Sequence, residues 1–133
     1  GCGGAKSGRG FTLPDGDADR GKTAFVDLKC FSCHTVSGVD LPISEDSEKK
    51  TVPLGGTTYR IQTYGELVTS IIHPSHKVAK GYAEEQSDAS DEVKSRMVNN
   101  NDVMTVSQLI DLVKFLQSHY VLEQYDMTPY SPY

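Results

Sequence analysis

The chain has 133 residues, a formal net charge of −5 and 37% of its residues in the hydrophobic set, which fits one domain with a lean core. The acidic balance argues against a nucleic-acid protein, which carries a basic surface. No apolar run approaches the roughly 18–20 residues of a membrane-spanning helix, and no internal repeat suggests a solenoid. Residues 1–14, GCGGAKSGRGFTLP, are rich in glycine and read as a flexible tether. Asp15 or Asp17 can cap a first helix that runs from Ala18 to about Cys30, with Ala18, Phe25 and Leu28 on its apolar side. Gly21 inside that helix costs about 1 kcal/mol relative to alanine, which implies close packing against another helix. Residues 35–62 read as a loop, with a charged run around residues 45–50 and a turn at Pro53-Leu54-Gly55-Gly56. Thr63 and Glu66 have capping-box spacing and open a helix bearing Leu67, Val68, Ile71 and Ile72, which Pro74 ends. Residues 83–96 are polar and read as loop. Thr105 and Gln108 form a second capping box, opening a helix over about residues 105–120 with Leu109, Leu112, Val113 and Leu116 in one stripe. Residues 121–133 hold tyrosine and proline without a helical period. The class expected is all-α.

One motif carries chemistry. Cys30-Phe31-Ser32-Cys33-His34 is C-x-x-C-H, the attachment signature of a c-type haem. Two thiols at this spacing at a helix end reach the two vinyl groups on one edge of a porphyrin, and the next residue then falls under the iron as an imidazole ligand. A thioredoxin-like motif would need a flanking βαβ pattern, which is missing. A structural zinc site needs four ligands in two spaced pairs, and only one pair is present. A Cys30–Cys33 disulfide would leave His34 unexplained. The reading is one covalent haem c held by Cys30 and Cys33, with His34 as an axial ligand. Candidates for the second axial position are Met97, Met104, Met127, His73, His76 and His119. A thioether there raises the potential and fills the site, favouring electron transfer over oxygen binding. Met104 precedes the cap Thr105 and pairs with Leu109 as a hydrophobic staple, a packing role. His73 ends a helix, and His76 and His119 read as solvent-facing. Tyr59, Tyr64 and Tyr82 suit either a haem propionate or partial burial.

Over residues 15–120 the chain resembles the class I, monohaem cytochrome c family. The resemblance is carried by Gly21 and Phe25, by C-x-x-C-H, by Pro53-x-Gly55, by Ile71-Ile72-His73-Pro74 leading to Gly81-Tyr82, by a methionine in the following loop, and by the closing helix Leu112-Val113-Lys114-Phe115-Leu116. It implies a small fold in which N- and C-terminal helices enclose one haem, with Gly21 and Phe25 packing near Leu112 and Phe115. It implies Met97, eighteen residues before Phe115, as the sixth ligand, although Val98 follows where the family often has proline. It also implies that the carbonyl of Pro53 accepts the proximal imidazole N–H.

These features point to a one-electron carrier, not an enzyme, shuttling between extracytoplasmic respiratory partners, a donor and an acceptor. The alternatives are a haem sensor or small catalyst with an open sixth site, and a fixed electron-transfer subunit of a larger oxidoreductase that uses residues 121–133 as an arm. Gly1-Cys2-Gly3-Gly4 resembles the end of a bacterial lipoprotein signal, so lipid on Cys2 would hold the domain at a membrane surface. Covalent haem attachment suggests a periplasmic location.

Overall fold

The computed structural model describes residues 4–45, 51–76 and 97–123. Cys2, Gly81, Tyr82, the stretch 83–96, Met127 and the last ten residues of the expected arm lie outside these described residues.

The first helix, α1, spans Ala18–Asp27. Of the two candidate caps, Asp17 serves, its carboxylate accepting the Arg20 N–H at 2.8 Å. The helix ends earlier than the expected Cys30, because Lys29 turns left-handed at φ 58°. That conformation costs a non-glycine residue about 1–2 kcal/mol, and it redirects the chain into a separate 3-10 turn, Cys30–Ser32.

The helices α2, Tyr64–Ile72, and α3, Val106–Ser118, both start at complete capping boxes, Thr63 with Glu66 and Thr105 with Gln108. Each box satisfies two backbone donors reciprocally. Met104 and Leu109, at the positions a staple would use, each pack against the core at the start of α3. Among the described residues no helix is long and apolar enough to cross a membrane.

The core forms where α1 crosses α3. A Cβ on Gly21 would collide with the Asp111 carbonyl oxygen and lie 2.5 Å from the Phe115 Cβ, so only glycine permits this approach. Next to it the rings of Phe25 and Phe115 meet edge to face, centroids 5.7 Å apart. Phe25, Phe115, Leu112 and Val113 are at most 2% exposed; burying each such side chain contributes roughly 1.5–3 kcal/mol. Leu67 and Val68 bring α2 onto the same core. A polar tie fixes the other end of the crossing. Buried Asp111, on α3, accepts the Asp17 N–H at 2.9 Å and the Arg20 Nε–H at 3.3 Å. The carboxylate thus faces the N-terminus of α1, where negative charge is favoured.

The all-α expectation needs correction, because among the described residues four strands of three residues form two parallel ladders. β1 (His34–Val36) pairs with β2 (Val52–Leu54), and β3 (Gly56–Thr58) pairs with β4 (Tyr120–Leu122). β2, β3 and all but the first residue of β1 thus lie within the segment read as loop. Val121 and Leu122, assigned to the C-terminal arm, belong to a ladder that the Glu123 N–H extends to the Thr58 carbonyl at 2.8 Å. Such short strands show no alternation, and their partners are distant in the chain. Gly55 and Gly56, at φ 76° and 82°, supply the left-handed bend between the two ladders.

Residues 4–10 are exposed and carry no helix or strand. The segment is nevertheless fastened near its end. The Phe11 ring lies 6.0 Å from that of Tyr64, the Tyr64 hydroxyl donates to the Phe11 carbonyl at 3.3 Å, and Leu13 packs against the core.

Gly21→Ala should lower the denaturant midpoint of the protein. The collision costs about 1–3 kcal/mol or more, which outweighs the roughly 1 kcal/mol that alanine adds to helix propensity. An unchanged or raised midpoint would refute the close packing.

Candidate functional site

The site begins where Lys29 reverses the chain. The turn Cys30–Ser32 closes with the Ser32 N–H on the Lys29 carbonyl at 3.0 Å and the Cys33 N–H on the Cys30 carbonyl at 3.2 Å. Both thiols are free and half-buried. Burial is the main cause that pushes the Cys30 thiol up to about 11; the neighbouring Cys33 adds to the rise, and a backbone hydrogen bond opposes it. Cys30 therefore stays a protonated, weakly nucleophilic thiol at neutral pH.

His34 opens β1, and its Nδ1 lies 3.1 Å from the carbonyl oxygen of Val52. A carbonyl only accepts, so Nδ1 carries the proton and Nε2 keeps its lone pair. Burial lowers the imidazole pKa, against the smaller upward pull of the Val52 carbonyl. His34 is thus neutral at pH 7, the form in which imidazole binds iron.

The acceptor is Val52, one residue before the Pro53 implied by the family resemblance. The ladder explains the difference. Val52 donates its N–H to the Cys33 carbonyl at 2.8 Å, and the Leu54 carbonyl accepts the Ser37 N–H at 2.9 Å. In a parallel pair the intervening residue turns its backbone away, and Pro53, with no N–H to lose, is suited to that place. Pro53 is exposed, across the ladder from Thr35.

Cys30, His34 and Met97 line one cleft. Its other walls are Phe25 from α1, Leu28 just after it, Leu54 from β2, Leu67 and Ile71 from α2, Leu112 and Leu116 from α3, and Tyr120 from β4. Met104 and Asn100 line it too. Cys33 and Pro53 are not among the lining residues. A larger, polar groove lies along the other side of α2, but it holds no cysteine. Donor chemistry, not size, identifies the site. A thiol in the wall with a second one in the same turn, a neutral imidazole with one nitrogen unengaged, a thioether and apolar walls are a set that suits a covalently attached haem, so the residues present fit that group.

Other candidates sit elsewhere. His73 and His76 are exposed and face each other across 5.3 Å. His119 is half-buried instead of solvent-facing. Its Nδ1 is 2.7 Å from the Phe115 carbonyl, and its ring meets the Phe115 edge at 4.8 Å. Tyr64 is engaged by Phe11, and Tyr59 is exposed. Three contributors escaped the sequence reading. Tyr120 follows Leu112 and Leu116 at the same four-residue step, a signal that was available. Val52 and Asn100 had no such signal, because their places depend on long-range register.

A family model for cytochrome c matches residues 18–119. No curated protein and no solved structure matches the chain.

Val52→Pro, which removes the N–H bonded to Cys33, should destabilise the protein by about 1–3 kcal/mol, whereas Pro53→Ala should stay within about 0.5 kcal/mol. Denaturant titration of both variants checks this. A Pro53→Ala loss equal to that of Val52→Pro would contradict the ladder register that turns Val52, not Pro53, toward β1.

Proposed function

The chain belongs to the cytochrome c family, and on that premise we propose that it is a one-electron carrier with His34 and Met97 as axial ligands. The observation that carries the reading is the convergence of Cys30, His34 and Met97 on one apolar cleft. Haem c, when bound, supplies a reversible one-electron iron couple. The chain's own residues do the rest. Cys30 and Cys33 provide the thiols for two thioether links. The Val52 carbonyl orients the His34 ring and makes it a stronger donor. Phe25, Leu67, Leu112 and Leu116 keep water from the cleft, which favours the less charged reduced state.

Between the two cleft methionines, spacing favours Met97 as ligand: it lies eighteen residues before Phe115, the separation the family resemblance implies, whereas Met104 packs against the core just before the cap of α3. A thioether in the sixth position fills the site against oxygen, so electron exchange requires little rearrangement.

The partners in this reading are a redox donor and a redox acceptor. The net charge of −5 steers the protein toward a basic docking surface. Lipid on Cys2 would hold it at a membrane surface, in the periplasm. The fastening of Phe11 to Tyr64 then sets where the folded domain begins after that anchor.

Met97→Ala should abolish the near-infrared sulfur-to-iron band of the oxidised protein and lower its reduction potential. Met104→Ala should keep the band and cost about 1–2 kcal/mol of stability, less than a fully buried methionine because the side chain is half-buried. Survival of the band in Met97→Ala with loss in Met104→Ala would reverse the assignment.

A further inference from the structure

We infer that the turn leaving α2 is a binding site for a divalent transition-metal ion of the Cu(II) class, held by the imidazoles of His73 and His76. The site follows from the way the helix ends. Pro74 bars the preceding residue from helical geometry, so α2 stops at Ile72 and His73 becomes its C-cap. The chain then closes a tight turn in which the His76 N–H donates to the His73 carbonyl at 2.9 Å. Pro74 fills the second position of that turn, where its fixed φ is already correct. A hydrogen-bonded turn sets its first and fourth residues side by side. Here it places the two imidazole centroids 5.3 Å apart with their planes inclined by 40°. Two imidazoles whose nitrogens lie about 2.0–2.1 Å from one shared ion have centroids roughly 5 Å apart, so the spacing of the pair already suits a shared ion.

The state of the other histidines strengthens the case. His34 and His119 each use a ring nitrogen on a backbone carbonyl, of Val52 and Phe115 respectively. The rings of His73 and His76 meet only each other among the described residues, and both are exposed. They line the polar groove along α2 together with Glu66 and Thr69. The Glu66 carboxylate is already committed to Arg60 and to the Thr63 N–H. Among the described residues no third histidine, cysteine or carboxylate completes a cluster, so the two imidazoles are the donors the site rests on.

That donor set selects the ion. Two imidazoles suit nitrogen-seeking metals, and Cu(II) stands at the top of their affinity order with Zn(II) behind it; Ca(II) and Mg(II) prefer all-oxygen shells. The net charge of −5 favours cation accumulation. Neither histidine lines the cleft of Cys30 and His34, so the two sites are distinct, with Gln62 and Ser70 as a shared wall. The inference does not depend on the axial ligands proposed above.

The test is a Cu(II) titration of the haem-loaded protein carrying Cys2→Ser, which removes position 2 as a competing ligand, followed by calorimetry and electron paramagnetic resonance at about pH 7.5. One ion per chain is expected, with superhyperfine coupling to two imidazole nitrogens. His73→Ala and His76→Ala should each weaken binding at least about tenfold and remove one nitrogen coupling, while an unchanged visible spectrum verifies that both variants remain folded. Absence of stoichiometric binding, or wild-type affinity in either variant, overturns the inference.

Discussion

The rest of the structure depends on the close crossing of α1 and α3 at Gly21. With no side chain at that position the α1 backbone comes against the Asp111 carbonyl and the Phe115 Cβ. The approach lets Phe25 and Phe115 pair, and it lets the Asp111 carboxylate reach the backbone at the start of α1. Both ends of the site are set by this crossing. α1 delivers the cysteine turn, and α3 delivers Leu112 and Leu116 as cleft walls. A displacement of one helix would separate the attachment residues from the surface that shields them.

From that crossing the chain builds outward with short, economical devices. The reversal at Lys29 gives the cysteines a turn of their own. The β1–β2 ladder then holds His34 opposite Val52, so the residue pair that orients the imidazole is also a ladder pair. The β3–β4 ladder returns the chain end to Gly56 and brings Tyr120 into the cleft. Neither ladder has enough strands to be stable alone; each is held by the helices it joins. A protein core this lean, opening into an apolar cleft, is the form expected of a fold completed by its cofactor.

What could be read from the sequence was what neighbouring residues decide among themselves. Thr63 with Glu66 and Thr105 with Gln108 signal their helices within four residues, and the structure forms both boxes. C-x-x-C-H is local in the same sense, as is the stop at Pro74. The glycine at position 21 also announced its packing, because its helical cost required a reason. The strands were not legible, since three residues show no period and the pairing of Gly56 with Tyr120 spans half the chain. The same limit explains Val52. Its neighbour Pro53 is conspicuous in the sequence, but which carbonyl faces His34 is decided by ladder register, and a shift of one residue reverses every direction. Asp111 lay hidden within an apolar stripe, where a carboxylate reads as surface until its partners on α1 are known.

The central claim is that the two thiols and His34 hold a covalently attached haem. The most direct measurement is the mass of the denatured, purified native protein, taken together with its oxidised and reduced visible spectra. The account predicts a mass greater than that of the polypeptide, together with any lipid on Cys2, by one haem, with colour that persists on the denatured chain and sharpened absorption bands on reduction. A colourless protein with the mass of the bare polypeptide would contradict it.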